Sequence, residues 1–341
     1  MPIFLNVLFL IVGMVLLIKG ADFFVSGASE VAKRLKVPAL FIGLTIVSLG
    51  TSLPELSVSI TSAICGCIDM SVGNIVGSNL FNMLLILGIV AIFNPIQIKP
   101  SVKKIDLPFL LAVTGILMIF SFDTILNGLS ESIVSRSDGL ILLIVLILYM
   151  YVLISNAIRF RKQEQENNYN KEIQDYQNQL NEQPKEEKNL KVWQIVLYIV
   201  LGLSAVVFGG ECVSSTAKYL ALAMGMSEAL VGLTIVALGT SLPELVTSIV
   251  ASKKGENDLS LGNVIGSNIV NISLILSSVG IIAQAPISVT IITDIIILFA
   301  TTVIFIAMCA KRTELTKLHG FILIGLYVAY LTFTIIRNYC F

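Results

Sequence analysis

Charged residues are scarce in this chain. Only 13% of its 341 residues are Asp, Glu, Lys or Arg, whereas about a quarter are charged in a typical soluble domain. Hydrophobic residues supply 56%, and the 22 basic residues balance the 22 acidic ones. This composition excludes an ordinary soluble domain, and the balanced charge gives no indication of a polyanionic partner such as nucleic acid. We therefore expect an integral membrane protein.

Histidine and cysteine are also sparse. His319 is the only histidine, and the five cysteines have no metal-finger spacing, so we expect the cysteines to be small apolar filler. HExxH and GxSxG motifs in the context they need are missing. We expect no enzymatic activity, and these residues indicate no cofactor and no obligatory protein partner.

Long apolar runs cover most of the chain. None of them alternates with the period of two that a membrane β-barrel needs, so helices are favoured. The first run lacks the basic start and the cleavage site of a signal peptide, and we retain it as a span. Runs near the ~20 residues that a spanning helix requires lie at about 3–25, 38–65, 71–93, 106–121, 139–158, 192–210, 227–252, 260–282, 290–310 and 318–336. The predicted fold class is an all-α integral membrane protein with ten transmembrane helices.

One long polar segment, residues 161–191, divides the chain. We predict a first five-helix half at 1–160, a linker at 161–191 and a second five-helix half at 192–341. The apolar residues of the linker can form a narrow helical stripe. A solvated helical linker is the preferred interpretation, and a regulatory or self-association element is the alternative.

Basic residues predict the orientation. If the N-terminus is outside, every Lys and Arg falls on a cytoplasmic loop except Lys19, Arg136, Lys218 and Arg337. Cytoplasmic loops of membrane proteins carry such an excess of positive charge. We therefore expect a multi-pass protein of the cell membrane, plasma or inner, with both termini outside and the 161–191 loop in the cytoplasm.

The chain contains an internal duplication. The heptapeptide GTSLPEL occurs at 50–56 and again at 239–245, and a shift of 189 also aligns GNIVGSN at 73–79 with GNVIGSN at 262–268. Shared apolar composition would not preserve polar residues at matching positions. Because five predicted spans separate the copies, the second copy is expected to be inverted, as in secondary transporters whose sites lie near the midplane.

Each copy combines a helix break with a polar stripe. Pro54 and Pro243 remove a backbone donor and weaken the helical bonds of the preceding turn. In the first copy, polar residues three or four apart share one helical face: Ser48, Thr51, Ser52, Glu55, Ser59 and Ser62. On the next helix of each copy, polar residues recur every four: Asn74, Ser78 and Asn82, and Asn263, Ser267 and Asn271. Glycines four apart, at 73 and 77 and at 262 and 266, allow close helix contact.

The two glutamates of the motif need a partner. A charge at the centre of a membrane helix costs about 2.5–3.5 kcal/mol, and neither Glu55 nor Glu244 has a Lys or Arg nearby in sequence. Carboxylates, hydroxyls and amide oxygens are hard donors of the kind that Ca²⁺ binds. One buried Glu could belong to a structural hydrogen-bond network, but the duplicated constellation favours an ion site. Asp69 and Asp258 are interpreted as helix caps, and Asp22 and Glu211 as either entrance residues or ordinary surface acids.

At these residues the sequence resembles the cation/calcium exchanger superfamily, in particular the prokaryotic-type sodium/calcium exchangers. The resemblance covers the whole chain, and it implies a ten-helix antiporter in which Na⁺ and Ca²⁺ alternate at the midplane while the first helices of the two halves slide. Carried over by position, the implied ion ligands are Glu55, Glu244, Thr51, Thr240, Ser52, Ser241, Asn82, Asn271, Ser78, Ser267, Ser48 and Ala237. Ser48 and Ala237 would contribute backbone carbonyls.

Two further expectations concern the branch of the superfamily and the coupling of the ions. Potassium-dependent relatives usually carry Asp at the position of Asn271, which disfavours potassium cotransport here. Two ionised glutamates neutralise one Ca²⁺, and three Na⁺ would leave one positive charge, which predicts electrogenic exchange. With the usual inward Na⁺ gradient, the expected direction is Ca²⁺ export. The alternatives are a K⁺-dependent exchanger, an H⁺/Ca²⁺ antiporter and, further off, a cation channel.

Overall fold

The computed structural model of the chain describes residues 3–122, 132–178, 191–224, 237–310 and 312–340. These residues are mostly helical. The α-helices are α1 (Ile3–Leu35), α2 (Ala39–Ile42), α3 (Ser48–Thr51), α4 (Leu53–Ile64), α5 (Ile68–Leu80), α6 (Leu87–Phe93), α7 (Leu107–Phe120), α8 (Arg136–Asn178), α9 (Val192–Ala223), α10 (Ala237–Gly239), α11 (Leu242–Lys253), α12 (Asn257–Val270), α13 (Ser277–Ala283), α14 (Val289–Ala310) and α15 (Lys317–Cys340). Wider π-helical turns occur at Gly43–Val47, Phe81–Ile86, Val102–Asp106 and Asn271–Leu276.

Seven helices in the described part of the chain are long and apolar enough to cross a membrane, or eight if the bent pair Ala39–Thr51 and Leu53–Ile64 counts as one span. The expected span at 106–121 contains an α-helix of only 14 residues, α7, preceded by a π-helical turn. The first part of the expected span at 227–252 lies outside the described residues, which resume at Ala237. The protein is therefore a mostly helical, multi-pass membrane protein.

Helices α5 and α12 form the centre of the bundle. Together with their π-helical and α-helical continuations, their apolar windows are 78% buried, whereas those of α1 and α9 are 28% and 22% buried. Polar residues would be costly on a lipid-facing helix, so the central position of α5 and α12 suits the Asn and Ser residues they carry. The buried apolar core surrounds these two helices.

Helices α1 and α9 form a closely packed antiparallel pair at the periphery. A Cβ on Gly20 would lie 2.8 Å from the backbone nitrogen of Val206, and one on Gly202 would lie 2.5 Å from that of Phe24. Only glycine permits this backbone contact. Both helices are longer than the expected spans at 3–25 and 192–210, extending to Leu35 and Ala223.

Two features differ from a purely helical five-plus-five plan. Short antiparallel strand pairs are present: β1 (Ile96–Gln97) with β4 (Glu314–Leu315), and β2 (Ser132–Val134) with β3 (Ala285–Ile287). They join loops that lie far apart in sequence and leave the bundle helical. In addition, α8 continues to Asn178, so the expected boundary at 160 falls within a helix, and the rest of the linker, 179–190, lies outside the described residues.

Candidate functional site

The proline motif interrupts the helix at the same position in both copies. Ser52 has φ −83° and ψ 8°, and Ser241 has φ −89° and ψ 6°, which are non-helical values at the start of α4 and α11. In the first copy the two flanking segments are bent by 45°. Since proline cannot donate to the preceding turn and its ring clashes there, the break follows directly from the sequence.

The break brings the two glutamates into one site. Ser52 Oγ donates to Glu244 Oε1 at 2.9 Å, and Ser241 Oγ donates to Glu55 Oε1 at 3.0 Å. Each serine therefore binds the glutamate of the other copy. All four side chains are buried, with both glutamates 0% exposed, and the two carboxylates are close enough for their charges to interact.

Neither carboxylate has a basic partner among the described residues. The ion pairs found there are Arg34 with Glu30, Lys99 with Asp258, Lys254 with Asp22, and Arg337 with Asp294. Glu55 Oε2 and Glu244 Oε2 are buried without a hydrogen-bond donor in this part of the chain. A buried anionic oxygen without a partner is costly, so the geometry favours a cation between the two glutamates.

Hydrogen bonds between threonine and asparagine side chains lie next to the two helix breaks. Thr51 Oγ1 donates to Asn263 Oδ1 at 3.0 Å, and Thr240 Oγ1 donates to Asn74 Oδ1 at 3.3 Å. Each contact again joins one copy to the other. The two contacts are equivalent, because Thr240 is the counterpart of Thr51 and Asn74 is the counterpart of Asn263 in the register of 189. Thr51 also approaches the Glu244 carboxylate, which places a hydroxyl oxygen at the edge of the candidate ion site.

Serine and asparagine residues of the central helices complete the site. Ser78 Oγ donates to Glu55 Oε1 at 3.3 Å and lies 2.9 Å from Ser241 Oγ, whose own proton goes to Glu55. Ser267 approaches the Glu244 carboxylate but makes no hydrogen bond of good geometry in the described part of the chain. Asn82 and Asn271 lie at the start of the two matching π-helical turns, and both are 0% exposed. Such wide turns occur frequently at functional sites.

The side-chain oxygens of Asn82 and Asn271 extend the set of unpartnered acceptors. Both Oδ1 atoms are buried and have no donor among the described residues. Together with Glu55 Oε2 and Glu244 Oε2 they give four hard oxygen atoms, which is the donor type that Ca²⁺ and Na⁺ prefer over softer ligands. The described residues contain no cluster of three or more His, Cys, Asp and Glu side chains, so neutral oxygens are needed to complete any coordination sphere.

The two positions expected to contribute carbonyls are less informative. Ser48 is buried, and its carbonyl accepts from Ser52 N at 3.1 Å, while Thr51 Oγ1, whose proton goes to Asn263, lies 3.4 Å from it. Its participation would use the remaining capacity of that oxygen. Ala237 begins the short helix Ala237–Gly239, directly after a stretch outside the described residues, and its role as a carbonyl donor stays a prediction.

The acidic residues outside the motif have local partners. Asp258 pairs with Lys99, and Asp69 Oδ1 accepts from Ser288 N at 3.3 Å. Asp22 pairs with Lys254 at 2.7 Å, and Glu211 accepts from Ser215 at 2.8 Å. None of these contacts reaches the two buried glutamates.

Two asparagines beside the site were not among the predicted site residues. Asn79 Nδ2 donates to the carbonyl of Asn268, and Asn268 Nδ2 donates to the carbonyl of Asn79, both at 3.3 Å. The bonds join the central helices α5 and α12. Their signal was present in the sequence, since both residues belong to the duplicated GSN tripeptide and are 189 apart.

Two contacts between neighbouring helices, one buried and one partly buried, were also not predicted. Tyr149 OH donates to Asp106 Oδ1 at 3.0 Å, and Arg337 binds Asp294 through two bonds of 3.0 Å. The second pair lies 188 positions after the first. A one-residue change in spacing between the copies removed these pairs from the gapless alignment.

Comparison with known proteins supports the assignment suggested by this geometry. The sodium/calcium exchanger protein family matches residues 5–155 and 194–336. The sodium/calcium exchanger MaX1 of Methanosarcina acetivorans is 32% identical over 348 residues, covering 96% of this chain and 97% of its own. The inner membrane protein YrbG of Escherichia coli is 34% identical over 307 residues, covering 89% and 88%.

A solved structure agrees with the overall architecture. The sodium-calcium exchanger NCX_Mj, soaked with Na⁺ and Sr²⁺, superimposes with a TM-score of 0.80 at 28% identity, covering 97% of this chain and 99% of its own. The match extends over nearly the whole length of both chains. The chain therefore belongs to the sodium/calcium exchanger protein family.

Proposed function

We propose that this protein exchanges Na⁺ for Ca²⁺ across a membrane by alternating access at a single site. The observation that carries the proposal is the mirrored pair of contacts between Ser52 and Glu244 and between Ser241 and Glu55, because it places two uncompensated carboxylates in one buried site. Family membership supports the same function. The transported ions are substrates, and no cofactor enters the proposal.

The ligand set has a carboxylate centre and a neutral periphery. Glu55 and Glu244 supply the charge, and the oxygens that surround them come from Thr51, Thr240, Ser52, Ser241, Asn82, Asn271, Ser78, Ser267, Ser48 and Ala237. One Ca²⁺ would neutralise two ionised glutamates, whereas three Na⁺ would leave one positive charge. Because of this difference in charge, the exchange is electrogenic. The transport of the two ions is coupled because the same carboxylates cannot bind Ca²⁺ and Na⁺ at once.

Two inverted five-helix repeats provide the alternating access. Gly13 and Gly20 on α1 correspond to Gly202 and Gly209 on α9, and a Cβ at Gly20 would approach Gly202 as one at Gly13 would approach Gly209. Equivalent helices that pack antiparallel are related by an axis perpendicular to their length, which is the relation expected for inverted repeats. The ten-helix count adds one span at 106–121 and one at 227–252 to the described apolar helices.

The protein is proposed to reside in the cell membrane with both termini outside and the 161–191 loop in the cytoplasm, as the distribution of basic residues favours. With an inward Na⁺ gradient, exchange in this orientation exports Ca²⁺. The linker is assigned no regulatory role.

The neutral oxygens distinguish the proposal from a proton/calcium antiporter. A proton needs one acceptor, whereas the site collects hydroxyl and amide oxygens around the carboxylates. A cation channel would need an open path, but both glutamates are 0% exposed. The amide at Asn271, in place of a carboxylate, favours exchange without potassium.

Radioactive Ca²⁺ uptake into Na⁺-loaded proteoliposomes tests the proposal. The outside solution would contain choline, K⁺ or Na⁺, and a proton gradient without Na⁺ would serve as the control. Uptake in choline that disappears when Na⁺ is equal on both sides is the expected result. Uptake that needs external K⁺ or follows the proton gradient would contradict it, and a channel-sized conductance would replace exchange by conduction.

A further inference from the structure

The contacts around the two buried glutamates are not the same in the two copies, although the two sequences are nearly identical. Ser78 Oγ binds Glu55, Ser241 and Asn271 Nδ2. Ser267, its counterpart in the second copy, makes no hydrogen bond of good geometry in the described residues. The first set of contacts is therefore engaged, and the matching set is not.

The same asymmetry separates the two asparagines that follow these serines. Asn271 Nδ2 donates to Asn79 Oδ1 at 3.1 Å and to Ser78 Oγ at 3.2 Å. The equivalent bonds would run from Asn82 Nδ2 to Asn268 Oδ1 and to Ser267. Asn82 Nδ2, Asn268 Oδ1 and Ser267 Oγ are all buried without a partner among the described residues.

The orientation of these amides is fixed by backbone carbonyls. Asn79 Nδ2 faces the carbonyl of Asn268, and Asn268 Nδ2 faces the carbonyl of Asn79. Because a carbonyl can only accept, each amide must direct its nitrogen there and its Oδ1 elsewhere. Asn79 Oδ1 is therefore an acceptor that requires a donor from Asn271, and Asn268 Oδ1 is an equivalent acceptor that awaits one.

We propose that Asn79 and Asn268 are positioning residues that hold the ligand amides of Asn271 and Asn82 in turn, one in each access state. The inference rests on the proposed exchange. If the two halves are inverted repeats, as proposed above, they are related by a two-fold axis in the membrane plane, and the proposal is that contacts made by one copy here are made by the other copy in the opposite state. Asn271 is held with its Oδ1 toward the site, while Asn82 is free to rotate until Asn268 captures its nitrogen.

Equivalent substitutions provide a matched test. Asn79→Ser and Asn268→Ser each remove one carbonyl-bound amide, and this loss is the same in both because the two bonds are reciprocal. They differ only in the acceptor offered to Asn271 or to Asn82. Asn79→Ser should therefore depopulate the state described here, and Asn268→Ser should depopulate the opposite one.

The measurement is the apparent KM for Ca²⁺ in right-side-out and inside-out vesicles of each variant. Loss of one net hydrogen bond should move the ratio of the two KM values by about threefold to tenfold. The two variants should move it in opposite directions, and the double variant should return it toward the wild-type ratio. Shifts in the same direction, or no shift in either, would overturn the proposal.

Two observations keep this test separate from the proposed function and from folding. Wild-type vesicles that fail to exchange Na⁺ for Ca²⁺ would refute the function rather than the positioning role. If the variants do not fold, a structure of the wild-type protein open to the other side decides the question. That structure should contain a bond from Asn82 to Asn268 and none from Asn271 to Asn79, and retention of the present pattern would overturn the proposal.

Discussion

Neutralising either Glu55 or Glu244 should abolish Ca²⁺ binding at the shared site. In Glu55→Gln the side chain keeps its shape and its position among buried hydroxyls, but one of two negative charges is lost. At an effective dielectric constant of about 20, unit charges 4 Å apart interact by about 4 kcal/mol, and a divalent ion by about twice that. Part of this is offset because burying a carboxylate is itself costly.

A net loss of several kcal/mol corresponds to at least about a thousandfold weaker Ca²⁺ binding, since each 1.4 kcal/mol is about tenfold. Glu244→Gln should have the same effect because its contacts mirror those of Glu55. Titration calorimetry on purified protein in detergent measures the affinity, and thermal unfolding verifies that the variants fold. Glu211→Gln, on an exposed glutamate that binds only its neighbour Ser215 in the described structure, is the matched control. A Kd within tenfold of wild type in either site variant would refute the reasoning.

Three further predictions concern other parts of the molecule. Asn271→Asp should make exchange proton-sensitive, since a carboxyl there must keep its proton to donate as the amide does; a rate independent of pH across the neutral range would contradict this. Gly202→Ala places a Cβ 2.5 Å from a backbone nitrogen of the first helix and should destabilise the protein by about 1–3 kcal/mol. In contrast, Gly325→Ala, whose Cβ would contact no described atom beyond its own helical turn, should leave the thermal unfolding temperature unchanged or raise it slightly, because alanine favours helix over glycine. Arg337→Met leaves the Asp294 carboxylate without its cation and should cost about 1–3 kcal/mol, because the pair is partly buried and the carboxylate loses charge-assisted hydrogen bonds. Adding Asp294→Asn should restore most of the lost thermal stability, and equal stability of the single and double variants would refute a role for the ion pair.

The central site could be predicted from sequence because polar residues are expensive inside a membrane. A Glu or Asn that persists at matching positions of two apolar segments must have a partner there, and the register of 189 already paired Glu55 with Glu244 and Ser52 with Ser241. The expectation that both glutamates occupy one buried site follows from that register together with the two prolines. The same pattern does not predict which oxygen atoms bind Na⁺ and which bind Ca²⁺.

The lengths of the helices and the positions of the wide turns were harder to predict. Hydropathy marks the stretch that contacts lipid, but α1 and α9 continue as helices beyond it, to Leu35 and Ala223. Polar side chains can end a membrane span without ending the helix. Likewise, α7 is preceded by a wide turn at Val102–Asp106, and neither composition nor periodicity distinguishes such a turn from ordinary helix.

The asymmetry between the copies is a property of conformation rather than of sequence. Ser78 and Ser267 occupy equivalent positions in nearly identical motifs, yet only Ser78 is engaged in hydrogen bonds of good geometry in the described part of the chain. A duplicated sequence predicts equal contacts in both halves. Only three-dimensional structure reveals which half is engaged in a given state.

Competition between the two cargoes tests most directly the claim that Na⁺ and Ca²⁺ share one site. The initial rate of Ca²⁺ uptake would be measured in Na⁺-loaded proteoliposomes at increasing external Na⁺, with choline holding ionic strength constant. If both ions need Glu55 and Glu244, external Na⁺ should raise the apparent KM for Ca²⁺ more steeply than in direct proportion while the maximal rate at saturating Ca²⁺ is unchanged. A maximal rate that falls with Na⁺ at constant KM would place the two ions on separate sites and contradict the account.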